Sequence, residues 1–137
     1  MNNNQEHAEI VVIGGGAVGC AVAYSLAKAG KTDVLLLEKE PTVAAVTTPQ
    51  AAGLVGQVRN TVERTKLAMW SLKTFSQLER DEHPKPGWRQ VGSLRVALTD
   101  ERVAEFQRLK RVADEVGLEL EFISLTAAAE KWPRLSF

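Results

Sequence analysis

Residues 10–38 read IVVIGGGAVGCAVAYSLAKAGKTDVLLLE, and the fold of everything around them follows from this stretch. Ile10 to Ile13 are four consecutive β-branched residues, too few for a stable helix and suited to a strand covered on both faces. Gly14, Gly16 and Gly19 follow in the G-x-G-x-x-G spacing. In that spacing the first glycine makes a tight turn, the second lets backbone approach a pyrophosphate, and the third lets helix lie against strand. The next residues predict a helix that turns Ala17, Val18, Ala21, Val22, Leu26 and Ala27 toward the sheet and stops at Gly30. Its N-terminal N–H groups would face a phosphate. Val34 to Leu37 predict a second parallel strand, and Glu38 ends it 19 residues beyond Gly19. A carboxylate there accepts hydrogen bonds from both ribose hydroxyls of an adenosine and repels a 2′-phosphate. Strand, glycines, small-residue helix, strand and acid together read as a dinucleotide-binding βαβ unit. A lone glycine triplet would be explained as well by a turn without a ligand. FAD and NAD both present an ADP moiety, so this unit leaves the choice between them open.

The whole chain is 137 residues long, with 45% hydrophobic and 25% charged residues, the composition of a soluble globular protein. Its 17 basic and 17 acidic residues cancel, which gives no electrostatic footprint for nucleic acid and no polybasic membrane anchor. The single cysteine, Cys20, lies among small residues of the first helix and reads as a compact core group; no internal disulfide is possible. Ile10 to Ala27 is an 18-residue run without charge that imitates a membrane span, yet it holds four glycines. The preceding MNNNQEHAE has no Lys or Arg, so a signal-peptide n-region is missing too. The expectation is a cytoplasmic protein with no membrane partner.

After Glu38 the stretch KEPTVAAVTTPQAAGLVGQVRN is rich in small residues and broken by Pro41 and Pro49, a long ordered loop leaving the strand end where a nucleotide lies. A surface connector is the bland reading of it. Thr61 to Asp81 turn helical, with Ala68, Met69, Leu72, Phe75 and Leu78 on one face. Arg59, Arg64 and Lys66 near its start could meet an anion, although solvated basic residues are commoner. HPKPGW at 83–88 reads as a turn with His83 exposed. Residues 93–98 alternate as a half-buried strand, Thr99 caps a helix with Val103, Phe106, Leu109, Val112 and Val116 on one face, and Gly117 stops it. Residues 118–123 predict another strand, and a short alanine-rich helix follows Thr126. The expected fold class is α/β: a Rossmann-like βαβ unit, then the start of a mixed α+β domain. Two half-built sheets in 137 residues would leave open edges, which marks an incomplete fragment. The expected divisions are 1–58 for the nucleotide-binding part, 59–87 for the packing helix and connector, and 88–137 for the opening of a substrate domain.

The fingerprint with Glu38, the loop TTPQAAGL at 47–54, the long helix and QVGSLRVALTDERVAEF at 90–106 resemble the N-terminal part of the FAD-dependent D-amino acid oxidase superfamily, nearest to its dimethylglycine and sarcosine dehydrogenase or oxidase group. The similarity runs to the closing LTAAAEKWPRL. It implies oxidation of the carbon next to a secondary or tertiary amine, with FAD as hydride acceptor and an imine that hydrolyses. It also implies an FAD site formed by Gly14, Gly16, Ala17, Val18, Gly19, Glu38, Lys39, Thr47, Thr48, Gln50 and Leu54. The group carries at the Gln50 position a histidine joined covalently to flavin, so the glutamine implies FAD held without that bond. The resemblance places catalytic residues downstream, and none is assigned here, nor is any metal ligand. Expected partners are a small-molecule amine substrate and a missing C-terminal segment or partner subunit. Two other readings stand beside this one: a fragment of an NAD-binding dehydrogenase, and a non-catalytic dinucleotide-binding subunit.

Overall fold

The structure, a computed structural model, describes residues 7–134. They fall into two compact units parted between Leu54 and Val55.

In the first unit, strand β1 (Ile10–Ile13) leads through the glycine turn into helix α1 (Ala17–Lys28) and back to strand β2 (Val34–Leu37). The strands pair in parallel, Ile10 opposite Val34 and Ile13 opposite Leu37. Further bonds extend the ladder at both ends. Ile10 N–H donates to the Asp33 carbonyl and Gly14 N–H to that of Leu37. A parallel pair needs a crossover, and α1 supplies it by packing on both strands. The helix closes as read: Gly30, at φ +83, and Lys31 donate to the Ala27 and Leu26 carbonyls. The uncharged run from Ile10 to Ala27 is thus divided among strand, turn and helix. No helix among the described residues is long and apolar enough to cross a membrane.

The face of α1 differs from the sequence expectation. Gly19, Cys20, Ala23, Tyr24 and Leu26 are the partly covered positions, while Ala17, Val18, Ala21, Val22 and Ala27 are exposed. Small apolar residues surround this helix, so periodicity does not set its rotation. The contact of Gly19 with the β1 end does. A Cβ on Gly19 would lie 1.8 Å from the Gly14 carbonyl oxygen. The other edge of the unit is bare, with Ile13 85% and Val18 79% exposed.

The second unit is built on helices α2 (Val62–Asp81), α3 (Asp100–Glu115) and α4 (Leu125–Lys131). Thr61, Thr99 and Ser124 cap them, each hydroxyl accepting from the N–H three residues on. The start of α4 is therefore set by Ser124 and not by Thr126. Helices α2 and α3 pack together, with Leu72 buried on one and Leu109 and Ala113 on the other. Trp88 folds back over α2. Its ring stacks on Phe75 at 5.3 Å, its indole N–H reaches the Ser76 hydroxyl at 3.1 Å, and its backbone N–H reaches Glu79 Oε2 at 2.8 Å.

Thr65 is the fully buried polar side chain of this unit. Its hydroxyl accepts from the Arg59 N–H at 3.0 Å and donates to the Thr61 carbonyl at 2.8 Å, tying the segment before α2 to the helix. Thr65→Val keeps the shape but leaves that partly buried N–H without its hydroxyl partner, so it is expected to destabilise the protein by about 1–3 kcal/mol. The shift of a urea midpoint measures it.

The strands expected at 93–98 and 118–123 do not form. A strand is stabilised by the ladder it shares with a neighbour, and neither segment has one among the described residues. Alternation survives locally without it: Leu118 and Leu120 are partly covered while Glu119 and Glu121 are exposed. The described part of the second unit is therefore helices and irregular chain, not a mixed α+β sheet.

Candidate functional site

The glycine turn is the best-defined constellation in the first unit. Gly14 lies at φ +97, a conformation that side-chain-bearing residues rarely adopt. Gly16 occupies the N-cap of α1, where no side chain caps the helix, and a Cβ there would meet nothing within 4 Å. The first-turn N–H groups of α1 thus face open space, the arrangement that receives a phosphate.

Gly15, an unspecified position of the motif, is the residue on which the site converges. It is buried. Its N–H donates to Glu38 Oε2 at 2.6 Å, and its carbonyl accepts from the Ala44 N–H at 2.8 Å and from the Cys20 thiol at 3.1 Å. A Cβ on Gly15 would come within 2.9 Å of Val43 Cγ1 and 3.1 Å of Glu38 Oε2. Ala44 reaches its bond at φ +58, a strained conformation for alanine. Sequence reasoning missed Gly15, Val43, Ala44 and the hydrogen bond of Cys20. The run of three consecutive glycines was a signal for the first of these; AAV at 44–46 carried none.

Glu38 is held from two sides, since Oε1 accepts from the Glu40 N–H at 3.0 Å while Oε2 holds Gly15. The Glu40 and Gly15 N–H groups, in that order, keep its carboxyl below the usual 4.5. It is an anion at neutral pH. Two of roughly four lone-pair directions are used, so the carboxylate can still accept from a vicinal diol. Open space at Gly16, free first-turn N–H groups and an anchored anion at the end of β2 together fit the ADP half of a dinucleotide.

The remaining candidates lie apart from this turn in sequence. Lys39 is exposed, its ammonium 3.6 Å from Glu40 Oε1. Thr47 precedes a short 3₁₀ turn, Thr48–Gln50, in which Gln50 donates its backbone N–H to Thr47 and its side-chain Nε2 to the Val46 carbonyl at 2.9 Å. Leu54 is 90% exposed. The turn is ordered by its own bonds, and the side chains of Thr47, Thr48 and Leu54 are exposed and make no hydrogen bond among the described residues. The bond of Gln50 was not foreseen.

The chain matches the FAD dependent oxidoreductase family over residues 9–137 and belongs to it. It is 39% identical over 131 residues to a 4-methylaminobutanoate oxidase (formaldehyde-forming) of Paenarthrobacter nicotinovorans, covering 96% of this chain and 16% of that protein. It is 44% identical over 103 residues to the mitochondrial dimethylglycine dehydrogenase of Rattus norvegicus, covering 75% of this chain and 12% of the relative. A mitochondrial pyruvate dehydrogenase phosphatase regulatory subunit of Mus musculus is 35% identical over 129 residues, 94% of this chain and 15% of its own. The chain therefore spans about a sixth or less of the length of these relatives.

Proposed function

We propose that this chain is the nucleotide-binding part of an FAD-dependent oxidoreductase that oxidises the C–N bond of an N-methylated glycine or related amino acid. The carrying observation is the Glu38 carboxylate on the Gly15 N–H, 2.6 Å apart, in a chain of the FAD dependent oxidoreductase family. Glu38 accepts from the ribose, Gly14, Gly16 and Gly19 let the pyrophosphate onto the α1 N-terminus, and Ala17 and Val18 present their N–H groups there. Lys39, Thr47, Thr48, Gln50 and Leu54 extend the contact along the loop. Bound FAD supplies the two-electron acceptor. The substrate class is supported by two relatives whose names specify 4-methylaminobutanoate and dimethylglycine. Catalytic groups come from a further segment or a partner subunit.

A second reading, a non-catalytic flavin-binding subunit, is favoured by the likeness to a regulatory subunit. The visible spectrum of the purified full-length protein, followed by anaerobic mixing with dimethylglycine or 4-methylaminobutanoate, separates the two. Flavin bands that bleach support the enzyme, and bands that persist with every N-methylated amino acid support the subunit. A colourless protein that binds NAD overturns both.

FAD is held here without a covalent bond through Gln50. An amide nitrogen is a poor nucleophile, and this one already donates to Val46. Acid precipitation of the flavin-loaded protein is expected to leave the colour in the supernatant. Yellow retained on a peptide containing Gln50 would refute the proposal.

A further inference from the structure

The peptide joining Gly15 to Gly16 is held at its oxygen and open at its nitrogen. The Gly15 carbonyl accepts from the Ala44 N–H at 2.8 Å and from the Cys20 thiol at 3.1 Å, one donor from the segment after β2 and one from within α1. The N–H of the same peptide, that of Gly16, has no hydrogen-bond partner among the described residues. The bond is trans, so its C=O and N–H point in opposite directions. Two donors on the oxygen therefore set where the Gly16 N–H points: away from Ala44 and Cys20, at the N-cap of α1. They also draw electron density toward that oxygen, which makes the N–H of the same amide a stronger donor. Ala44 brings its own N–H there from φ +58, a left-handed conformation that a side chain opposes. Strain of that kind persists where surrounding contacts impose it, and it concentrates at binding sites.

We propose that Ala44 and Cys20 are positioning residues, which by holding the Gly15 carbonyl aim and strengthen the Gly16 N–H as a donor to the pyrophosphate of the dinucleotide. This inference rests on the proposed function for the ligand, and it gives two residues outside the glycine spacing a part in binding. Neither needs to touch the nucleotide. Each acts through one backbone amide, and a hydrogen bond from that amide to a charged phosphate depends on direction as much as on distance. The role sets a different requirement at each position. Position 20 needs a short side chain with a donor proton, and position 44 needs a residue that tolerates a left-handed backbone.

Two probes separate this role from a merely structural one. ADP carries the pyrophosphate and adenosine does not, while both present the ribose to Glu38. In the full-length protein freed of flavin, Cys20→Ala and Ala44→Val are each expected to weaken ADP binding by at least about threefold and to leave adenosine binding in place. Cys20→Ser restores a donor proton, and Ala44→Gly keeps the N–H while removing the strain. Both are expected to bind ADP within about twofold of the wild type. Calorimetric titration gives the affinities. General loosening of the turn would lower ADP and adenosine affinity together, and that result overturns the proposal. So does an unchanged ADP affinity in either Cys20→Ala or Ala44→Val, or an equal loss in Cys20→Ser and Ala44→Gly. Should Ala44→Val not fold, the alanine and serine variants at position 20 decide alone. If the dinucleotide is NAD, the contrast still reads this role, because NAD presents the same ADP moiety, so the enzyme reading can fail while this one stands. A wild type that binds neither ADP nor FAD overturns both.

Discussion

Gly19→Ala is expected to remove the folded βαβ unit, whereas Gly16→Ala, three residues away, is expected to leave the fold intact and remove the nucleotide. The added Cβ at Gly19 would lie 1.8 Å from the Gly14 carbonyl oxygen and 3.0 Å from its carbon. Both are backbone atoms, and no rotamer relieves the overlap. Helix α1 would have to lift off β1, at a cost of more than about 3 kcal/mol, beyond ordinary overpacking. At Gly16 the same methyl meets nothing within 4 Å and strains no backbone angle, so the fold has no reason to respond. It fills instead the space in front of the α1 N-terminus. Losing a close N–H contact to a charged phosphate weakens binding by roughly 10- to 150-fold. Urea midpoints and flavin titrations of both variants in the full-length protein measure the contrast. A Gly19→Ala protein with the wild-type midpoint, or a Gly16→Ala protein with wild-type affinity, contradicts this account of the turn.

Glu38→Ala is expected to weaken dinucleotide binding by about 5- to 150-fold. The carboxylate contributes twice. In the proposed function it accepts from the ribose, and in the structure it holds the Gly15 and Glu40 N–H groups that shape the turn. Its folded pKa is depressed, so the stability it adds is fully present above the ordinary value of 4.5 and is lost as pH falls through the lower value in the folded protein. Wild-type affinity should therefore be flat through neutral pH and decline only in acid below 4.5, while that acid-dependent component is missing from the variant. Equal affinities across this range would show that Glu38 touches neither ribose nor turn in the working protein.

Much of the first unit was legible because its determinants are local. Four β-branched residues, a glycine spacing and a terminal acid each constrain their immediate neighbours, and β1, α1 and β2 lie where those signals put them. The cap at Thr99 was legible for the same reason: a hydroxyl and an N–H three residues on are all that the bond requires. What escaped depends on partners remote in sequence. The rotation of α1 is fixed by one glycine against one carbonyl, which a helix apolar on every side conceals. Strands at 93–98 and 118–123 were read from alternation, but alternation reports burial and only pairing makes a ladder. The confinement of Thr65 depends on the Arg59 backbone six residues earlier. Gly15 was passed over because the motif leaves its position unspecified.

The peptide of Gly15 bears on how this fingerprint could be moved between proteins. Its two ends are bonded to residues from three separate places in the chain, Glu38, Ala44 and Cys20. The six-residue glycine string is thus only the visible half of a two-part device, the other half being the segment 38–44 laid over it. Grafting Gly14 to Gly19 onto a foreign strand and helix would transplant the recess without its clamp. An engineer recruiting this glycine turn as a nucleotide site should carry residues 10–44 as one cassette, alanine at 44 included, and keep a thiol or another short hydrogen-bond donor at position 20.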